Sequence, residues 1–365
     1  MSSGISAKPD SSSQPLPPTR LIRWHGRLYA IVGLAVLLVV IGALATTVGS
    51  VNIPILTTCK VMVSKLPFVH IAQTWPRSTE TIVMDIRLPR VILAGLVGAA
   101  LAMAGATYQG LFRNPLADPY LIGVSQGASL GAVVGFLLPI SWNIMGGVGV
   151  IPLFAFIGAI VSAAIVYGLA RVGSASPVTT IILAGVALGA FLGSVVSYLL
   201  VSSGDKLHGI VFWIMGSFSL SQWSDVRLVL PPVAVGIGVI FLYARPLNVM
   251  QLGEEQAQQL GINVERLKLI LLTAATLITA AAVSFVGIIG FVGIIIPHIV
   301  RLIWGADHRF LLPLSVLTGA IFLILADLIA RTVQAPTEIP VGVITALCGA
   351  PFFLYLLRRK KRIIF

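Results

Sequence analysis

The chain has 365 residues, of which 57% are hydrophobic and only 10% are charged, and its formal net charge is +12. Roughly a quarter of the residues are charged in a soluble globular domain, so this composition excludes that class and indicates an integral membrane protein. A transmembrane β-barrel would alternate polar and apolar residues, whereas the apolar tracts here are continuous. We therefore predict an all-α membrane bundle.

The chain begins with a Ser- and Pro-rich segment over residues 1–19, which we expect to be a disordered cytoplasmic tail. Residues 20–365 then form the predicted transmembrane domain. Residues 20–45 resemble a secretory signal, with basic residues, an apolar run and small residues at Ala43 and Ala45. The apolar run continues through Val48, which favours a retained membrane span.

Apolar tracts cut at Gly, Pro and charge clusters predict about ten membrane helices, since each span needs about 20 residues. The predicted spans lie near residues 29–49, 90–111, 118–139, 147–170, 178–201, 228–244, 266–286, 290–304, 310–330 and 339–357. The eighth span is short, and Gly287, Gly290, Gly293 and Pro297 could reduce it to a half-helix with a re-entrant lead.

Basic residues predict the orientation of these spans. If both termini are cytoplasmic, sixteen of the 24 Lys and Arg residues lie inside and eight lie outside, and the strongest anchor is the cluster from Arg358 to Arg362. The net positive charge is therefore interpreted as membrane topology and attraction to anionic lipids, with no role for nucleic acid.

Residues 252–261 form a polar segment, LGEEQAQQLG, between two long apolar tracts. A segment of helix-forming polar residues in this setting projects into water and offers a face to a soluble partner. We predict that residues of about 250–264 form short cytoplasmic coupling helices that dock on an ATPase. The other interpretation is a solvated loop helix without a partner.

The sequence lacks the signals of several other functions. It contains no GxxxxGK[ST] motif, so the chain has no P-loop for a nucleotide of its own. The predicted spans lack the chains of buried Asp, Glu or His that serve secondary transporters as proton relays, and no catalytic grouping stands out. Cys59 and Cys348 lie in a predicted external loop and in the last span, which argues against a disulfide framework or a metal site. We expect neither catalytic nor metal-binding residues.

Seven segments carry a resemblance to a known family. They are RLPR at 87–90, RNPLADPYLIGVSQGA at 113–128, WIMGSF at 213–218, the polar segment at 252–261, GFVGIIIPHIVR at 290–301, ADLIAR at 326–331 and EIPVGVITALCGAPFF at 338–353. From about residue 29 onward the chain resembles FecCD-type permeases, the membrane subunits of binding-protein-dependent ABC importers for iron chelates, haem and cobalamin.

This resemblance implies a ten-helix bundle like that of cobalamin-importer permeases, in the cytoplasmic (inner) membrane of a bacterium or archaeon. It implies a homodimer that works with two ATPase subunits, which bind ATP and Mg, and with a periplasmic or lipid-anchored substrate-binding protein. The chain itself would bind no cofactor and catalyse no reaction. Its cargo would be a bulky metal chelate, and the sequence does not separate cobalamin, haem and siderophores.

The resemblance also implies roles for individual residues. The ATPase-coupling residues are Leu252, Gly253, Glu254, Glu255, Gln256, Ala257, Gln258, Gln259, Leu260 and Gly261. The cytoplasmic gate consists of Asn114, Leu116, Val178, Thr179 and Thr180. The binding protein would dock on Arg87, Arg90 and Arg331, because guanidinium groups make directional pairs with carboxylates. These arginines could instead cap spans or bind lipid headgroups, and Asp85 is a candidate local partner of Arg90.

Other polar residues leave alternatives open. Gln109 and Gln126 could face the transport pathway, although hydrogen bonding between helices is favoured for Gln126. His298 could ligate haem, but a structural role is favoured because similar PHIVR segments occur in family members with different cargo. The alternative function for the whole chain is a secondary carrier or channel that works without ATP.

Overall fold

The computed structural model describes residues 24–49, 51, 53–65, 72–139, 149–171, 173 and 176–364. The predicted tail at 1–19 lies outside these residues. The helices are α1 (Trp24–Thr47), α2 (Ile55–Ser64), α3 (Arg77–Thr81), α4 (Leu88–Phe112), α5 (Val124–Leu137), α6 (Val150–Ala170), α7 (Val178–Val201), α8 (Leu207–Ile214), α9 (Trp223–Leu242), α10 (Ala244–Met250), α11 (Glu254–Gln259), α12 (Val264–Val286), α13 (Val292–Trp304), α14 (His308–Thr332) and α15 (Val341–Ile364). A π-helical segment, Ile82–Arg87, joins α3 to α4 without a break.

The prediction of an all-α membrane bundle with about ten spans is confirmed. Each predicted span overlaps one helix: α1, α4, α5, α6, α7, α9, α12, α13, α14 and α15. Among the described residues, seven helical stretches are long and apolar enough to cross a membrane, and α5, α13 and the apolar part of α15 are shorter. Helices satisfy their own backbone hydrogen bonds, which is the condition for crossing hydrocarbon.

Helix α4 lies at the centre of the bundle. In its most apolar window 83% of the residues are buried, against 6% for α1 and 11% for α7. It packs against α9, α12, α13 and α14, while α5 and α6 pair closely with each other and contact α12. The outer helices therefore expose large apolar side chains on the surface of the bundle.

Glycine allows the closest of these contacts. A Cβ atom on Gly98 would lie 2.2 Å from the carbonyl oxygen of Gly319 in α14, and one on Gly105 would lie 1.9 Å from that of Gly293 in α13. The pair of α5 and α6 meets in the same way at Gly127 and Gly158. Small residues at helix interfaces let backbones approach closely, so Gly98 and Gly105 of α4 serve helix packing.

The eighth span is a short helix with an irregular lead, as its glycines suggested. Helix α13 has 13 residues and contains Pro297. Phe291, just before it, adopts a left-handed conformation with φ 69°, and Gly287 has φ 77°. The lead is held inside the protein, because the Tyr120 hydroxyl donates to the carbonyl oxygen of Ile289 at 3.0 Å. Irregular backbone at membrane depth is tolerated when protein surrounds it.

We predict that Gly105→Ala lowers the free energy of unfolding by about 1–3 kcal/mol, because α4 and α13 must separate to admit the methyl group. The matched control is Gly33→Ala in α1, where an added Cβ meets nothing within 4 Å. This control should be neutral or stabilising by up to about 1 kcal/mol. Unfolding of both purified variants in detergent measures the difference, and equal stabilities would contradict the assigned helix contact.

Candidate functional site

The polar segment 252–261 folds as α11 with a turn on each side. Gly253 precedes the helix with φ 129°, and Gly261 follows it with φ 83°, both in the region that favours glycine. The exposed residues are Leu252, Glu255, Gln256, Gln258, Gln259, Leu260 and Gly261, whereas Gly253 and Ala257 are buried. The segment thus presents a mixed face of amides, one carboxylate and two leucines to solvent.

Several contacts attach this segment to the membrane helices. Ala257 packs into the main core, and its carbonyl oxygen accepts a hydrogen bond from the amide of Ile262 at 3.0 Å. Gln251 Nε2 donates to the carbonyl oxygen of Gly110 in α4 at 2.8 Å. Glu254 Oε2 lies 2.7 Å from Lys268 Nζ in α12. Helix α11 is therefore held on its inner side and open on its outer side.

A second network supports α10, the helix that precedes the polar segment. Asp307 Oδ1 accepts hydrogen bonds from Asn248 Nδ2 of α10 at 2.7 Å and from the amide of Arg309 at 3.1 Å. Hydrogen bonding from the Arg309 side chain is the main reason that the pKa of Asp307 falls to about 2. Sequence reasoning missed this network, although an Asp directly before α14 is a recognisable helix N-cap signal.

The predicted gate residues occupy two separate segments. Asn114 and Leu116 lie in the turn between α4 and α5, where Asn114 Oδ1 accepts the amide of Leu116 at 3.0 Å. Val178, Thr179 and Thr180 form the first turn of α7 after Pro177. All five side chains are partly or fully exposed.

One cavity of about 390 Å³ brings part of the gate next to the polar segment. Its lining residues are Leu111, Phe112, Arg113, Pro177, Val178, Thr179, Glu254, Glu265 and Lys268. Val178 and Thr179 thus share a cavity with Glu254, whereas Asn114 and Leu116 do not line it. The closeness of the two segments arises from tertiary packing and is invisible in the linear sequence.

The three predicted docking arginines lie together at the opposite end of the bundle, and their side chains are largely buried. Arg87, Arg90 and Arg331 are 5%, 8% and 6% exposed. Arg87 donates to the carbonyl oxygens of Thr46 at 3.1 Å and Thr47 at 2.7 Å. Arg331 donates to the carbonyl oxygen of Ala45 at 2.6 Å. These two arginines thus secure the end of α1.

Arg90 has partners that the sequence did not predict. Its Nη2 lies 2.7 Å from Asp327 Oδ1, and its Nη1 lies 2.9 Å from Glu338 Oε1. The prediction that Asp85 is the local partner of Arg90 is therefore wrong. Burial tends to raise the pKa of Glu338, but hydrogen bonds from Arg90 and Ser219 hold it below the usual value. Three arginines face two carboxylates here, which leaves one net positive charge.

A pocket of about 200 Å³ opens beside this cluster. Its lining residues are Gly49, Val51, Ile82, Ile86, Arg87, Arg90, Arg331 and Glu338. The pocket therefore reaches all three arginines, although little of each side chain is accessible. That these arginines dock a binding protein stays a prediction.

The remaining polar candidates have distinct positions. Gln109 is buried, its Nε2 donates to the carbonyl oxygens of Gly293 and Ile294 at 3.1 Å each, and its Oε1 accepts from Arg301 at 2.9 Å. It therefore joins α4 to α13. Gln126 is partly exposed and lies against Gly189 and Gly193 of α7. His298 is partly exposed on α13.

The FecCD transport family model matches residues 37–359. The uncharacterized ABC transporter permease protein YvrB of Bacillus subtilis is 46% identical over 344 residues, which cover 93% of this chain and 97% of that protein. The cobalamin import system permease protein BtuC of Halobacterium salinarum is 46% identical over 286 residues, covering 78% and 76% respectively. A solved structure described as a metal-chelate type ABC transporter, in an inward-facing conformation, has a TM-score of 0.78 at 30% identity and covers 91% of this chain and 99% of its own.

We predict that Arg90→Met lowers the free energy of unfolding by about 3–5 kcal/mol, because it leaves the buried Asp327 carboxylate without its main partner. Arg77→Met is the matched control, since Arg77 is exposed near the same end of the bundle. It should change stability by no more than about 0.5 kcal/mol. Unfolding of the purified chain without partner proteins measures both, and equal stabilities would contradict a structural role for Arg90.

Proposed function

The chain belongs to the FecCD transport family, and on that premise we propose that it is the permease subunit of an ABC importer that moves a bulky metal chelate into the cytoplasm. A separate ATPase subunit would power transport, and a substrate-binding protein would deliver the cargo. ATP and Mg would bind to the ATPase, so this chain would perform no covalent chemistry. The inner membrane of a bacterium or archaeon is the proposed location, with both termini cytoplasmic.

The observation that carries this proposal is the open outer face of segment 252–261. Four polar side chains with high helix propensity, Glu255, Gln256, Gln258 and Gln259, remain exposed there in a chain that is otherwise largely apolar. Leu252 and Leu260, each 64% exposed, flank them. Exposed leucines beside amides and carboxylates suit a groove on a soluble partner, because apolar anchors supply affinity and polar groups supply register.

The gate supports the same proposal. Val178 and Thr179 share a cavity with Glu254, so a displacement of α11 has a short path to the first turn of α7. Asn114 follows directly after Arg113, which lines that cavity, and Leu116 lies in the same turn. We propose that all five predicted gate residues close the cytoplasmic end of the pathway, and that ATP-driven movement of α11 changes their spacing.

A homodimer is part of the proposal, with the pathway between two copies of the chain. Helix α7 carries the gate residues at its first turn and is the least buried long helix after α1. Its side chains Phe191, Tyr198 and Val201 are more than half exposed. In a homodimer the interface would bury part of this surface, and lipid would cover the rest.

The docking of a substrate-binding protein is proposed at the arginine pocket. The pocket is lined by Arg87, Arg90, Arg331 and Glu338, and the cluster around it has an excess of one positive charge. An acidic side chain entering the pocket would find guanidinium groups held in place by the structure. Such preorganised donors favour a directional, bidentate contact.

The cargo class follows from the family, and cobalamin is the first candidate because a 46% identical relative is named for cobalamin import. The test is uptake in proteoliposomes that contain this chain, its ATPase and its binding protein, with radiolabelled cobalamin, haem and a ferric siderophore compared. We expect uptake of one cargo that requires ATP and all three components. Gradient-driven uptake by this chain alone would favour the alternative, a secondary carrier or channel.

We predict that Glu255→Lys lowers co-purification of the ATPase by about tenfold, because reversing an exposed charge at an interface typically costs more than 1 kcal/mol. Asp205→Lys is the control, since Asp205 is also exposed but lies at the other end of the bundle. It should leave co-purification unchanged. An equal yield of ATPase with both variants, at equal membrane insertion, would contradict docking at α11.

A further inference from the structure

A buried ammonium group joins the polar segment to the gate. Lys268 in α12 is 2% exposed, although its Nζ carries a full charge and three donors. The three donors face Glu254 Oε2 at 2.7 Å, Glu265 Oε1 at 3.2 Å and the carbonyl oxygen of Ser176 at 3.3 Å. Each partner lies in a different place: Glu254 begins α11, Glu265 is on the same helix as Lys268, and Ser176 precedes α7.

The contact with Ser176 is the unusual one. Ser176 is 1% exposed and stands two residues before Val178, the first residue of the predicted α7 gate. Pro177 lies between them, and its fixed φ makes this short stretch stiff. A displacement of the Ser176 carbonyl group therefore also displaces the first turn of α7, because the backbone between them bends little.

We propose that Lys268 is a positioning residue that transmits movement from α11 to the gate, a role that rests on the proposed function. Glu254 belongs to α11, the helix that would face the ATPase, and Ser176 precedes the gate segment of α7. The ammonium group of Lys268 binds both residues. Separating it from Glu254 or from Ser176 inside the protein would remove a hydrogen bond from a buried donor, so the three groups move as a unit.

The partners of Lys268 allow this link to be separated from simple stabilisation. Glu265 is a same-helix partner at i,i+3, so its loss removes a charge contact but breaks no connection between segments. Glu254 is about one third exposed, so water can solvate its carboxylate when Lys268 is changed. Lys268→Met keeps an unbranched side chain that is one heavy atom shorter, and it removes the charge and the donors. Glu265→Gln is the matched control, and Lys268→Arg keeps the cation.

The first experiment measures uptake per ATP hydrolysed in the reconstituted complex. We expect Lys268→Met to retain the ATPase and hydrolyse ATP within about twofold of wild type, while uptake per ATP falls about tenfold, within the usual range of coupling between sites. Lys268→Arg should recover much of this loss, and Glu265→Gln should match wild type. Wild-type uptake per ATP in an assembled Lys268→Met complex would overturn the proposal.

The second experiment needs no ATPase, so it separates failure of this proposal from failure of the proposed function. Spin labels are placed at the exposed positions 256 and 179 by Gln256→Cys and Thr179→Cys, with Cys59 and Cys348 changed to Ser. In the permease alone we expect a narrow distribution of the distance between the two labels. Lys268→Met should broaden this distribution, and Glu254→Gln replaces Lys268→Met if the latter fails to fold. Glu265→Gln should leave the distribution narrow. Equal widths in all variants would overturn the link.

The same labels in the full complex test the direction of transmission. With Lys268 present, the distance between positions 256 and 179 should stay constant between nucleotide-free and ATP-bound states, because both segments move together. In Lys268→Met the distance should change on ATP binding. If wild type lacks ATP-dependent uptake, the proposed function fails, and the distance widths in the permease alone still decide whether Lys268 joins the two segments.

Discussion

The close approach of α4 to its neighbours is the constraint on which the rest of the structure depends. Gly98 and Gly105 place the backbone of α4 directly against those of α14 and α13, and no side chain larger than hydrogen fits there. In lipid there is little hydrophobic force between helices, so packing at small residues supplies much of their association. With α4 central, the surrounding helices place the arginine cluster at one end of the bundle and Lys268 with the polar segment at the other.

At each of those ends, buried charges join helices that are distant in sequence. Arg90 reaches Asp327 and Glu338 at one end, and Lys268 reaches Glu254 and Ser176 at the other. A buried ion pair is costly to form and more costly to break, so it specifies a geometry more than it adds stability. In the proposed function, the arginine cluster would form the surface on which the binding protein docks. Lys268 would connect the ATPase-facing helix α11 to the gate at the first turn of α7.

This arrangement explains how one short polar helix is held in place in an otherwise apolar chain. Helix α11 is short and would be unstable alone, since a helix of six residues lacks the hydrogen bonds to offset its ordering. Ala257, Gln251 and Glu254 attach it to the membrane helices and leave its outer face exposed. Its stability therefore derives from the bundle, and a force on its outer face is carried into the bundle.

The sequence by itself determined the membrane class, the set of about ten spans, the position of the polar segment and the family, because these depend on local hydropathy, on turn residues and on motifs of adjacent residues. Tertiary structure alone decided the pairings. Arg90 binds Asp327, which is 237 residues away in the sequence, and not the nearby Asp85. Lys268 binds Ser176, which is 92 residues away. Local patterns do not encode such contacts, since they arise only when packed helices bring distant positions together and burial forces each charge to find a partner.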